Sequence, residues 1–218
     1  MNLTAPKKTE ISKFKKIQLM VRHGLALQAV RYKLMKVGIE FSPYYLYRDE
    51  LNGTDIPEIK GIFDDYSCEL LTPEDMKVIG AINYVGYSED KLLSLLKAGE
   101  KCIGLKHNGE IAAFMFVNFT DFKYKSTVIH LKDDEVYLWF GYTMESYRGK
   151  NLAPYLRYKS YEICKEMGRD RFYSISEYFN SPAVKFKKKL NTKKLKLILF
   201  IQLFNKFHWS LTLKSYNA

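Results

Sequence analysis

The chain has 218 residues, of which 47% are apolar and 27% charged, and it carries a net charge of +11. That length suits one domain, or one domain with an extension. The composition excludes a disordered chain, a collagen-like chain and a disulfide scaffold. Three scattered cysteines (Cys68, Cys102, Cys164) make neither a disulfide framework nor a zinc site. They suit a reducing compartment. Four histidines (His23, His107, His130, His208) stand far apart with no metal-ligand spacing, so no metal is expected.

The charge is uneven. Residues 1–60 carry +5, residues 61–140 carry −5 and residues 141–218 carry +11. A basic C-terminal third implies an anionic partner: a phosphorylated cofactor, a nucleic acid or a membrane surface. No reading motif accompanies the charge, so a nucleic acid is not expected. No segment has the roughly 20 apolar residues of a membrane span. The most apolar stretch, Leu195 to Phe204, is short and contains Lys196. The N-terminal lysines are followed by no apolar signal core. The chain reads as soluble and cytoplasmic, with membrane-surface contact as one use of its charge.

In chain order, residues 11–37 read as a helix with an apolar face that includes Phe14, Ile17, Val30 and Leu34, stopped at Gly38. Residues 39–62 read as irregular. Pro43 argues against a central strand, and Asn52-Gly53 and Pro57 are turn signals. Residues 1–62 therefore read as a helical extension packed on a domain spanning 63–218. Tyr66 to Leu71 is a strand, and Thr72-Pro73-Glu74-Asp75 opens a helix. Ser88-Glu89-Asp90 opens another, ending near Gly99. Lys101 to Lys106 and Glu110 to Asn118 form a hairpin about Asn108-Gly109. Glu135 to Met144 is a long strand, and Arg148 to Met167 a helix. Arg171 to Ser176 is a strand, and Ser181 to Leu190 a short basic helix. Leu195 to Phe204 and Phe207 to Leu213 make a final strand pair. The order β-α-α-β-β-β-α-β-α-β-β implies an α/β fold with a mixed, partly antiparallel sheet flanked by helices.

The stretch from Glu135 to Ala153 carries the chemistry. A strand runs through a short loop into a helix. The first turn of a helix has unpaired N–H groups and the positive end of its dipole. Gly149 lets a ligand approach the backbone, and Arg148 and Lys150 add charge. Together these make a pyrophosphate cradle.

Here the sequence resembles the GNAT superfamily of acyl-CoA-dependent N-acyltransferases, whose phosphate loop reads Gln/Arg-x-x-Gly-x-Gly/Ala. Arg148, Gly149, Lys150, Leu152 and Ala153 stand in that frame, with Asn151 where the central glycine is usual. Asn180-Ser181-Pro182-Ala183 looks like the family's Asn-x-x-Ala opening of the next helix. Lys188-Lys189-Leu190-Asn191 stands where the family has Lys-Leu-Gly-Phe. Leu71-Thr72-Pro73-Glu74-Asp75 looks like its first strand-to-helix junction. The resemblance covers residues 64–217.

The resemblance implies a GNAT-like fold and an acetyltransferase. The chain would move an acetyl or other acyl group from acetyl-CoA, its cosubstrate, to a small-molecule amine. The gap would open between the strands ending at Met144 and Ser176. Tyr142, Thr143 and Met144 would meet the pantetheine, and Arg148, Gly149, Lys150, Asn151, Leu152, Ala153 and Asn180 the rest of the cofactor. The family's usual acid, a tyrosine, falls by spacing on Lys187. Tyr142, Tyr173 and Tyr178 are the substitutes, and Glu145 and Glu177 are candidates for the base. Asn151, as a helical residue, would need no positive φ, and its amide would meet a phosphate oxygen or solvent. The other reading is a non-catalytic module of the same fold that docks an anionic partner or a membrane surface through its basic third. An oligomer fits either reading.

Overall fold

The computed structural model describes residues 25–50, 56–61, 66–82 and 86–217. The expected helical face at residues 11–24 lies outside the described residues. The chain divides into two compact units. One takes the described residues 25–41 with 200–209, and the second takes 42–199 with 210–217.

In the smaller unit, helix α1 (Leu25–Lys36) ends at Gly38, as its sequence predicts. Gly38 adopts φ +78°, and the N–H groups of Val37, Gly38 and Ile39 fold back onto the last carbonyls of the helix. The Gly38 carbonyl accepts the Asn205 N–H at 3.2 Å. Phe204 and Asn205 both have positive φ, the geometry of a tight hairpin turn.

The sheet has eight strands in the order β10-β9-β1-β8-β7-β4-β3-β2. They are β1 (Glu40–Glu50), β2 (Tyr66–Leu70), β3 (Lys101–His107), β4 (Glu110–Asn118), β7 (Glu135–Thr143), β8 (Arg171–Glu177), β9 (Lys193–Leu203) and β10 (Phe207–Ser215). A separate hairpin joins β5 (Phe122–Tyr124) to β6 (Thr127–Ile129). The helices are α2 (Asp75–Gly80), α3 (Glu89–Lys97), α4 (Leu152–Glu166) and α5 (Ser181–Lys189). The β7–β8 pair is parallel, while β1–β8, β2–β3, β3–β4 and β4–β7 are antiparallel. The fold is the mixed α/β sheet flanked by helices that the element order predicts.

Strand β4 shows why. Its sequence, Glu-Ile-Ala-Ala-Phe-Met-Phe-Val-Asn, is apolar on both faces, the mark of a strand covered on both sides. Ala113, Met115 and Val117 join Leu152, Leu156, Cys164 and Phe172 on the α4 face. Phe114 and Phe116 join Met76, Ile79 and Leu92 on the face of α2 and α3. Burying one such large side chain stabilises by roughly 1.5–3 kcal/mol.

Two expectations are corrected. Residues 40–50 are a strand inside the sheet. Tyr44 is the first β1 residue paired with β8, so Pro43 sits one residue before that ladder. Opposite Tyr178 its carbonyl accepts the Tyr178 N–H at 2.9 Å, and its missing N–H leaves out only the return bond, which ends the ladder there. The β5–β6 hairpin has strands of three residues, too short to show a period. It is held by tertiary contacts: the Phe122 ring stacks on Tyr137, and the Thr127 hydroxyl meets Tyr44 at 2.9 Å.

Candidate active site

Strands β7 and β8 pair only over three residues, Glu135–Arg171 to Tyr137–Tyr173. Beyond Tyr137 both strands continue, β7 to Thr143 and β8 to Glu177, without partnering each other. The separation coincides with a bulge in β7. Phe114 pairs with Tyr142 and Phe116 with Trp139, so three steps on β7 answer two on β4. Phe140 takes up the extra residue at φ +46°. The result is a cleft of about 400 Å³ between the splayed strands. Trp139, Phe140 and Tyr87 line it from one side, and Arg157, Ser174 and Lys187 from another.

Next to it, the chain leaves β7 through a 3-10 turn at Glu145–Tyr147 and a loop, and enters α4 at Leu152. The helix therefore starts four residues later than its sequence suggests. Gly149 holds φ +84°, a conformation open to glycine at no steric cost. The first N–H groups of α4, at Leu152 and Ala153, have no partner within the helix, and Pro154 has none to offer. A hollow of about 380 Å³ lies over this loop. Among the described residues, Lys60, Arg148, Lys185 and Lys189 line it, and no carboxylate does. Unpaired N–H groups, a helix dipole and four cations fit a polyphosphate. Phe186 lines both this hollow and the cleft, so the two adjoin.

Asn151 departs from expectation. It caps α4 at φ +64°, ψ +24°, in the left-handed region. A glycine is at home there, and asparagine is the residue with a side chain that tolerates it best. It lines the hollow, but its amide is already engaged by the protein. Nδ2 donates to the Glu58 carbonyl at 2.7 Å, and Oδ1 accepts from Lys189 Nζ at 3.0 Å.

The remaining predicted residues divide. Arg148 folds back on its own loop, donating to the Thr143 carbonyl, Glu145 and the Tyr142 hydroxyl, each at 3.3 Å. Lys150 Nζ lies 5.0 Å from the centre of the Tyr147 ring. The Met144 N–H donates to Ala112 on the β4 side, so it is not open to the cleft. Thr143, one residue earlier in the extended strand, turns its carbonyl the other way. Asn180 caps α5, accepting the Ala183 N–H at 3.2 Å, and lines the cleft. Glu177 also lines the cleft, exposed at its mouth. Glu145 is exposed and ion-paired to Arg148, outside the cleft lining. Tyr178 stacks on Tyr45, with ring centres 5.4 Å apart, and is likewise outside that lining. Tyr173 donates to Glu135 Oε1 at 3.0 Å, and burial, with that bond, raises its pKa.

Lys187 occupies the position of the missing tyrosine. It is 3% exposed, lines the cleft and has no hydrogen-bond partner for Nζ. The Tyr47 ring lies 4.2 Å away. Burial, and the nearby Arg157 guanidinium, hold its pKa well below the ordinary lysine value; Asp49 opposes this. Arg157 is buried against Asp49 and Tyr161, at 3.3 and 3.0 Å. A lysine inside a basic run gives no sequence sign of burial, and only its place three residues before Leu190 marks it as inward-facing. Lys60 lies beyond the loop's own sequence and had no local signal at all.

Among the described residues, no three His, Cys, Asp or Glu side chains gather as metal ligands, and no helix is long and apolar enough to cross a membrane. No curated protein matches the chain in sequence. Solved structures match it in fold. An acetyltransferase of the GNAT family from Colwellia psychrerythraea aligns with TM-score 0.56 at 16% identity, over 82% of this chain and 62% of that one. A GCN5-related N-acetyltransferase from Kribbella flavida aligns with TM-score 0.54 at 14% identity, over 85% and 73%. A putative acetyltransferase of the GNAT family from Novosphingobium aromaticivorans aligns with TM-score 0.50 at 14% identity, over 76% and 65%. The chain thus spans less than two thirds of the length of two of these. The sequence model of the acetyltransferase (GNAT) family matches residues 59–191, which include the splayed strands, the phosphate loop and α5. With that match over more than half its length, the chain belongs to the GNAT acetyltransferase family.

Proposed function

We propose that the chain transfers an acetyl or other acyl group from acyl-CoA to a small amine by direct attack on the thioester. One observation carries the reading: a strand-splay cleft shares a wall with a hollow that, among the described residues, is lined by four cations and no carboxylate. The loop from Arg148 to Ala153 would hold the pyrophosphate through backbone N–H groups, with Lys185 and Lys189 neutralising its charge. The backbone at Thr143, which lines the hollow, would orient the pantetheine, and Asn180 would keep α5 in place beside the cleft. CoA supplies the activated acyl group. Glu177, at the cleft mouth, is the carboxylate best placed to take the proton of the acceptor ammonium. Glu145 would serve the site through Arg148, by holding the guanidinium on the loop.

Residues 63–218 would be the catalytic domain. Residues 1–62 would be an extension that supplies β1 and the segment before β2. The free thiols of Cys68, Cys102 and Cys164 suit a cytoplasmic setting.

The test is CoA release from acetyl-CoA, followed with a thiol reagent across a panel of small amines. At least one amine should give turnover above the hydrolysis rate. Glu177→Gln should lower kcat by roughly 10²-fold, the size of a general-base contribution, with acetyl-CoA affinity unchanged. Full turnover in that variant removes Glu177 from the reaction. Absence of turnover with every amine, despite acetyl-CoA binding, removes the small-amine acceptor.

A further inference from the structure

The segment Ile56 to Gly61 lies before β2, outside the strand–loop–helix unit that forms the phosphate loop. Two bonds fasten it there. The Lys60 N–H donates to the Lys150 carbonyl at 2.9 Å, and Asn151 Nδ2 donates to the Glu58 carbonyl at 2.7 Å. Ile59 packs into the α4 side of the core between them. From α5, Lys189 reaches back to Asn151 Oδ1 at 3.0 Å. Asn151 thus ties three separate stretches of chain at one point. Lys60 is brought by these bonds to the rim of the same hollow as Arg148, Lys185 and Lys189. Its own backbone is anchored while its ammonium is free to turn inward.

Resting on the CoA reading above, we infer that residues 56–61 form a strap latched by Asn151, and that Lys60 is a phosphate-binding residue presented by that strap. The ligand group is a phosphate, either the pyrophosphate or the 3′-phosphate of CoA. The latch explains why an asparagine stands in a left-handed position. It accepts the φ of +64° and in return provides a donor to the strap and an acceptor to α5.

Calorimetric titration of the full chain with CoA and with 3′-dephospho-CoA tests this. Lys60→Ala should weaken CoA binding by roughly three- to tenfold, the size of one partly exposed charge-assisted contact. An equal loss for dephospho-CoA assigns Lys60 to the pyrophosphate, and a loss confined to CoA assigns it to the 3′-phosphate. Asn151→Gly suits the same backbone conformation and removes only the side-chain latch. It should speed hydrogen exchange in residues 56–61 and weaken CoA binding. The double variant should then fall no further than Asn151→Gly alone. Unchanged CoA affinity in Lys60→Ala, or tighter binding in Asn151→Gly, overturns the strap while leaving the CoA reading standing. A wild-type chain that binds neither CoA nor dephospho-CoA overturns both.

Discussion

Replacing Lys187 by methionine should make the protein more stable. The amine is buried without a hydrogen-bond partner, and methionine has nearly the same length and flexibility. Burying a polar group without a partner costs about 1–3 kcal/mol by mutational measure. At neutral pH a second cost adds to it. The unfolded chain holds a proton on this lysine that the folded chain resists, because burial and Arg157 depress its folded pKa. Folding must release that proton, so wild-type stability rises with pH between the depressed folded value and the ordinary ~10.4. Within that window the slope is about 1.4 kcal/mol per pH unit. The methionine variant lacks this slope. Urea unfolding of both proteins at pH 8, 9 and 10 separates the contributions. Lys187→Met should be the more stable at each pH, with a gap that narrows as pH rises. At pH 8 the variant should melt several degrees higher, at roughly 2–4 °C per kcal/mol for a chain of this size. A less stable variant, or a gap independent of pH, would refute the reasoning and mean that the ammonium is partnered in solution.

Other substitutions follow from the same geometry. Gly149→Pro should abolish CoA binding, because proline fixes φ near −65° against the +84° held here, whereas Lys150→Ala should cost less than about threefold for one exposed lysine; calorimetry reads both. Asp49→Ala should destabilise by about 3–5 kcal/mol in urea, since it leaves Arg157 buried and uncompensated. Burial pushes the Cys68 thiol up to about 11 and Cys164 to about 12. A disulfide reagent at pH 8 should therefore label all three cysteines slowly in the folded chain and quickly in urea. Fast labelling of the folded chain would mean that these thiols are open.

What the sequence revealed and what it hid follow a physical line. Asn108-Gly109 and Gly38 are turn signals whose φ requirements are local, and both sit at the turns they predict. The loop before α4 was legible because strand, glycine, basic residues and amphipathic helix are consecutive. Strand β1 was not, because Pro43 reads as a breaker unless one knows that pairing with β8 begins at Tyr44. The left-handed turn at Asn151 was also hidden. Asparagine favours a cap over a helix interior, but the run Arg-Gly-Lys-Asn-Leu does not mark where the helix begins, and only the late start of α4 makes Asn151 its cap. Lys60 and Lys187 were hidden most deeply. One is delivered to the site by a hydrogen bond between distant backbones, and the other is a buried cation in a run of exposed ones.

The central claim is that the cleft and its cationic hollow bind an acyl-CoA. The most direct measurement is thermal unfolding of the full chain with increasing acetyl-CoA, run beside ATP as a polyphosphate control. At 100 times its dissociation constant a ligand stabilises by about 2.7 kcal/mol. The account predicts a saturable rise in melting temperature with acetyl-CoA, larger than with ATP and lost in Gly149→Pro. No shift at millimolar acetyl-CoA, or an equal shift in wild type and Gly149→Pro, would contradict it.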